Sequence, residues 1–161
     1  MIEEVTAAIK TREGNPPAGW MSPGAHPSAQ TEDILASLGY SYTLDWPIDD
    51  QPTWMTTNGG PLLSVPYPHE VNDVPMVVLH DGTGSAFADM AIDNFDELLR
   101  QSKRQSLAYG ITIHSFIVGQ PFRIKQFRRV LDHLNAHSDD TWFTTAGNIA
   151  SHYAGLCPAP D

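Results

Sequence analysis

A single cysteine, Cys157, is all the disulfide-forming capacity of the chain, and it stands in the short run 155–161 with no intrachain partner. A disulfide framework is excluded, and a reducing, cytoplasmic compartment is the expectation. Basic residues are also scarce, with 9 Lys and Arg against 19 Asp and Glu and a formal net charge of -10. That charge repels phosphate backbones and anionic lipid over long range, so neither nucleic acid nor a membrane surface is expected as a partner. No apolar run reaches spanning length, and Met1-Ile2-Glu3-Glu4 lacks the basic start and apolar stretch of a secretory leader, which predicts a soluble, intracellular product. Internal repeats and low-complexity tracts are missing as well.

What remains is an ordinary globular composition. At 161 residues and 41% hydrophobic, one domain with a buried core is expected over 1–154, followed by a tail at 155–161. Ile2, Val5, Ala8 and Ile9 predict a short helix stopped by Gly14 and Pro16-Pro17. A strand is expected at 19–22, then a helix with Ser28 as N-cap, Ile34, Leu35 and Leu38 as apolar face and Gly39 as terminator. Strand 40–46 follows. Residues 47–61 read as an irregular loop rich in Pro, Asp, Asn and Gly, with a turn or hairpin through Asn58-Gly59. Further strands are expected at 62–67, 75–79, 111–116 and 141–145, and helices at 85–103, across Ile124 to Leu134, and at 147–153. Strands alternating with helices imply a largely parallel α/β sheet or a segment of barrel.

Several polar residues sit where such folds build sites. His114 falls at the C-terminal end of a predicted parallel strand, where βα loops carry chemistry. An imidazole there suits a general acid that protonates a leaving nitrogen, or equally a structural histidine bonded at a strand end. Asp45, Asp49 and Asp50 crowd the end of another strand beside Trp46 and Trp54, a setting for orienting an imidazole or anchoring a polar ligand, and equally for turn chemistry. His133 and His137 have the spacing to grip a metal from one helix face, yet no third ligand accompanies them, and complementarity to the helix C-terminus is the better account. Gly82-Thr83-Gly84 fits neither a P-loop nor a dinucleotide fingerprint.

Taken in order, Gly19-Trp20 with Ser22-Pro23-Gly24, Tyr42-Thr43-Leu44-Asp45-Trp46, Asp49-Asp50-Gln51-Pro52, Val65-Pro66-Tyr67 leading to Glu70-Val71-Asn72-Asp73, His114 with Gly119-Gln120-Pro121, and Trp142-Phe143-Thr144-Thr145 through Ile149-Ala150 resemble the allantoinase-like branch of the polysaccharide deacetylase family. The resemblance implies part of a distorted (β/α) barrel of the NodB homology type, with mainly parallel strands and without its N-terminal strands. It implies hydrolysis of non-peptide carbon–nitrogen bonds in amides, N-acetyl groups or ureides. By resemblance His114 would be the general acid, Asp45-Trp46 the motif that buttresses it, and Glu70, Asn72 and Asp73 a signature that positions substrate or a loop. From the residues themselves, Trp20, Trp46 and Trp54 suit a sugar ring, and Asp49 and Asp50 the polar edges of a ureide.

Only 18 residues precede Gly19, whereas the family places its catalytic-base aspartate, the neighbouring metal-binding aspartate and two metal-ligand histidines before the Gly-Trp segment. The expectation is therefore that the chain encodes no metal site or cofactor, and that a divalent metal such as zinc enters only if a partner supplies ligands. The expected partners are a small-molecule or carbohydrate substrate and either a second copy or a chain carrying the complementary half. A non-catalytic remnant or ligand-binding subunit is the alternative, and a self-associating scaffold a third.

Overall fold

The computed structural model describes residues 1–160. In chain order the elements are α1 (Ile2–Glu13), β1 (Gly19–Trp20), α2 (Thr31–Ser37), β2 (Tyr42–Thr43), β3 (Thr53–Thr57), β4 (Gly60–Ser64), a π-helical turn (Val74–Leu79), α3 (Gly84–Gln101), α4 (Ser115–Val118), α5 (Pro121–Ala136) and α6 (Ala146–Leu156). They divide into two compact units: Met1–Pro66 with the segment from Thr144 onward, and Tyr67–Phe143. No helix among the described residues is long and apolar enough to cross a membrane.

The first unit is built on a four-stranded sheet of order β1-β2-β4-β3. β1, β2 and β4 run parallel, with Gly19 opposite Tyr42 and Tyr42 opposite Leu63, while β3 pairs antiparallel with β4. The mixed α/β class and the parallel bias read from the sequence both hold. Successive strand residues face opposite sides, and β4 uses both: Leu62 joins Leu35 and Tyr40 in one cluster, Leu63 joins Val65 and Ala150 in another. Helices α2 and α6 thus cover opposite faces of the central strand. Gly19 is required by its neighbour, since a Cβ there would stand 2.0 Å from the Tyr42 ring.

Local chemistry explains where α2 begins and ends. Thr31, rather than Ser28, organises the entry: its hydroxyl accepts from Ser28 N at 2.9 Å, and the helix starts at Thr31 itself. At the exit Gly39 adopts φ 81. Gly39 N donates to Ala36 O at 3.1 Å and Tyr40 N to Leu35 O at 3.0 Å, the Schellman pattern, completed by the apolar contact of Leu35 with Tyr40.

Part of the expected loop at 47–61 is instead the β3–β4 hairpin, turning through Asn58-Gly59 with the left-handed position at Gly60, φ 114. The turn is pinned to α2, because Asp33 accepts from Asn58 N and Nδ2, each at 2.7 Å.

The second unit is mainly helical. Phe87, Ala88, Ala91 and Phe95 of α3 form a stripe at helical spacing that packs with Val130 and Leu134 of α5 and with Ile117 and Val118 of α4. Arg129 to Asp89 at 2.5 Å and His133 to Asp96 at 2.6 Å tie α5 to α3 along the rim.

Three expected strands are corrected here. Residues 75–79 lie in the π-helical turn, because Asn72 Oδ1 accepts from Val74 N at 3.0 Å and Pro75, which has no N–H to leave unpaired, fits a helical first turn. Of 111–116 only a parallel bridge between Thr112 and Asn72 is strand-like, after which the chain turns into α4. Residues 141–145 form no strand: Thr141 Oγ1 donates to His137 O at 2.8 Å, and Thr145 caps α6 by accepting from Asn148 N at 3.3 Å.

Candidate active site

The bridge between Asn72 and Thr112 sets two neighbouring residues side by side, and their chemistry does the rest. Asp73 N donates to Thr112 O at 3.2 Å, which fixes the aspartate backbone one residue short of His114. Its carboxylate, wholly buried, then accepts twice from the same residue: from His114 N at 2.8 Å through Oδ2 and from His114 Nδ1 at 2.7 Å through Oδ1. A carboxylate on Nδ1 keeps the proton on that nitrogen, leaving Nε2 as the atom that takes and gives a proton. The His114 side chain retains 37% exposure, so one edge of the ring meets solvent while the other is locked.

The other candidate residues fall in different local settings. Asp45 is 3% exposed, and both its oxygens serve Ser22, accepting from Ser22 N at 2.6 Å and from Ser22 Oγ at 2.7 Å. The carboxylate on the His114 ring is therefore Asp73, and the work of Asp45 is to fix the Trp20-to-Ser22 segment against the end of β2. Trp20 extends that network by donating Nε1–H to Ser22 Oγ at 3.0 Å, and its ring meets Tyr40 edge-on with centroids 5.8 Å apart. Trp46 is 45% exposed and donates to Glu32 Oε1 at 2.5 Å. Asp49 folds back to accept from Asp50 N at 2.7 Å, and both residues are exposed. Glu70 is exposed, its carbonyl accepting from Asn72 N at 2.7 Å, while Asn72 uses its side chain to start the π-helical turn.

Among the described residues no three of His, Cys, Asp or Glu gather closely enough to hold a metal ion. His133 is bonded to Asp96, and His137 Nδ1 faces the His133 carbonyl at 3.0 Å. Cys157 is exposed and offers its carbonyl to Trp54 Nε1 at 2.8 Å.

Sequence reasoning placed Asp73 in a signature with Glu70 and Asn72 without assigning it to His114. Forty-one positions separate the two residues, and what joins them is one isolated bridge, too short to leave a strand pattern in the sequence.

No family model and no curated protein matches the chain. Solved structures do. It is similar to the Puue allantoinase, with TM-score 0.87 and 26% identity over 99% of this chain and 53% of that one. A probable polysaccharide deacetylase from Pseudomonas aeruginosa PAO1 gives TM-score 0.86 and 24% identity, covering 98% of this chain and 53% of that one. One from Mycobacterium smegmatis, described as a polysaccharide deacetylase, gives 0.80 and 21%, covering 99% and 57%. The chain thus spans little more than half the length of each neighbour. With its parallel-rich sheet and flanking helices, it has a partial NodB-type fold, that of the polysaccharide deacetylases and allantoinase.

Proposed function

We propose that the chain is the acid-bearing part of a deacetylase-like hydrolase acting on non-peptide carbon–nitrogen bonds of the amide, N-acetyl or ureide kind. The observation that carries this reading is the Asp73–His114 pair, in which a wholly buried carboxylate holds a partly exposed histidine by two hydrogen bonds, one from its backbone N–H and one from ring Nδ1. Amide hydrolysis needs water activated by a base, and it needs a proton delivered to nitrogen as the carbon–nitrogen bond breaks. His114 Nε2–H supplies the second. As the water oxygen bonds to the carbonyl carbon and the intermediate collapses, the bonding pair leaves with nitrogen and the Nε2 proton moves onto it. Asp73 compensates the imidazolium charge before transfer and holds the ring in line during it.

The base is assigned to a complementary half or partner chain, since the neighbours are nearly twice as long as the region matched. Glu70 is exposed in the unit that holds His114, and Trp46, Asp49 and Asp50 are exposed in the other unit, which supports reading each set by itself as open to a small polar or carbohydrate ligand.

Binding without turnover is the second reading. It is favoured by the engagement of Asp45 and Trp20 with Ser22, which leaves them as scaffold. Release of ammonia or amine from simple amides, ureides and N-acetyl sugars is to be followed with the chain alone and with a front-half polypeptide of the same fold. A rate that appears on mixing and vanishes in His114→Ala supports the hydrolase; saturable binding with no rate in either sample leaves only the binding subunit.

A further inference from the structure

α4 is a single turn that begins directly after His114. Its last two side chains, Ile117 and Val118, are buried at 3% and 5% and belong to the core of the second unit. Helical neighbours point about 100° apart, so a turn that drives 117 and 118 inward carries 116 outward. Phe116 is accordingly 68% exposed. Its ring meets the imidazole edge-on, with centroids 5.6 Å apart and planes at 63°. Asp73 holds the imidazole of this pair by its Nδ1.

Core packing explains why position 116 faces outward, and it leaves the identity of the side chain open. Any polar residue would serve a solvent-facing position, and a phenylalanine there forfeits its burial. The neighbouring exposed aromatic, Phe122, has the Arg123 guanidinium 4.6 Å from its centroid; Phe116 has the imidazole that the proposed chemistry uses.

The geometry points to Phe116 as a specificity-determining residue, an apolar wall for whatever group the leaving nitrogen carries. This rests on His114 acting as the general acid. A nitrogen that receives a proton from Nε2 lies roughly 3 Å from it, and a ring centred 5.6 Å from the imidazole is close enough to reach a substituent on that nitrogen. A flat, weakly polar substituent gains aromatic contact there; a bare primary amide gains nothing. The site therefore prefers amides whose leaving nitrogen bears a flat ring.

Acetanilide and acetamide differ only by a ring on the leaving nitrogen, and titrating each into the full chain while following the His114 ring signals by NMR tests the inference. The signals are assigned by their loss in His114→Gln. In the wild type acetanilide is expected to act at roughly tenfold lower concentration than acetamide, the factor an aromatic contact supplies. Phe116→Ala should bring the two to near parity and Phe116→Tyr should restore the preference. The exposed position leaves thermal melting unchanged in both variants. A preference that survives Phe116→Ala, or equal action of both amides on the wild type, overturns the role of Phe116 and leaves the hydrolase reading standing. Silence of the His114 signals toward both amides overturns that reading itself.

Discussion

Asp73 commits both oxygens of one buried carboxylate to a single residue, holding His114 by its backbone N–H and by its ring. The first bond sets where the α4 turn starts, and the second sets which ring nitrogen faces outward. Structure and proposed chemistry thus hang on one side chain, which makes the two separable by substitution.

Asp73→Ala removes both acceptors from a site without solvent and should cost about 3 kcal/mol in urea unfolding. Asp73→Asn keeps one acceptor and should lose less stability while still lowering kcat roughly a hundredfold or more, since the compensating charge is gone. A variant that unfolds normally and turns over at the wild-type rate would show that His114 works without its carboxylate.

Ser22→Ala strips Asp45 of a donor and Trp20 Nε1 of its acceptor, inside a network where Ser22 and Asp45 are both nearly inaccessible. The expected loss is about 1–3 kcal/mol. In a double-mutant cycle with Asp45→Asn the two losses should be markedly less than additive, measured by denaturant midpoints, because they break the same bonds.

The hairpin turn gives a paired prediction. Gly59→Ala would place a Cβ 2.4 Å from Asp33 O and 2.7 Å from Ser37 N, both backbone atoms, and should destabilise by about 1–3 kcal/mol. Gly60→Ala meets no atom within 4 Å, and its cost comes from φ 114 alone.

Acid should weaken the same turn. The side-chain amide of Asn58, and after it the Asn58 backbone N–H, hold the Asp33 carboxyl below its ordinary value of 3.8. A carboxyl depressed in the folded state stabilises at pH above the ordinary value, and the gain disappears as pH falls through the folded one. The gap in melting temperature between wild type and Asp33→Asn should therefore be widest near neutrality and close in strong acid. A gap that stays constant across that range would mean the carboxylate charge contributes nothing.

At the alkaline end Tyr109 is the group to watch. Its hydroxyl donates to Ala91 O at 2.7 Å, and burial pushes its pKa well above the ordinary 10.0. Above that ordinary value the unfolded chain loses this proton while the folded chain keeps it, so stability falls as pH rises. Tyr109→Phe should flatten that decline in alkaline melting curves, with less than about 1 kcal/mol lost at neutral pH.

The helices were legible in the sequence because their signals are local and redundant. Phe87, Ala91 and Phe95 repeat at helical spacing, Gly14 and Gly39 sit in left-handed conformation where the chain must stop, and each cue is independent of the rest of the molecule. Strands fared worse for a physical reason. β1 and β2 are two residues each, too short for an alternating pattern to show; Leu44 and Val65 lie just past the strand ends, where Leu44 N donates to Trp20 O at 2.9 Å and Val65 N to Thr43 O at 3.0 Å. Val77, Val78 and Leu79 look like a buried strand, yet Asn72 and Pro75 start a helical turn before them, and a local cap overrides composition. His114 stands out in the sequence through the run it opens, His114 to Pro121, together with its place in the predicted strand 111–116. Its carboxylate partner does not, because a single bridge carries the information that joins them.

Leu63 and Val65 are covered by Ala150 and Ile149 of α6, which are synthesised some eighty residues after the sheet they protect. On the ribosome, the inserted region from Tyr67 to Phe143 has all its own partners before the sheet has its last helix. Until α6 emerges, the side of β4 that carries Leu63 is greasy and bare, and that interval leaves the nascent polypeptide open to chaperone capture or to aggregation.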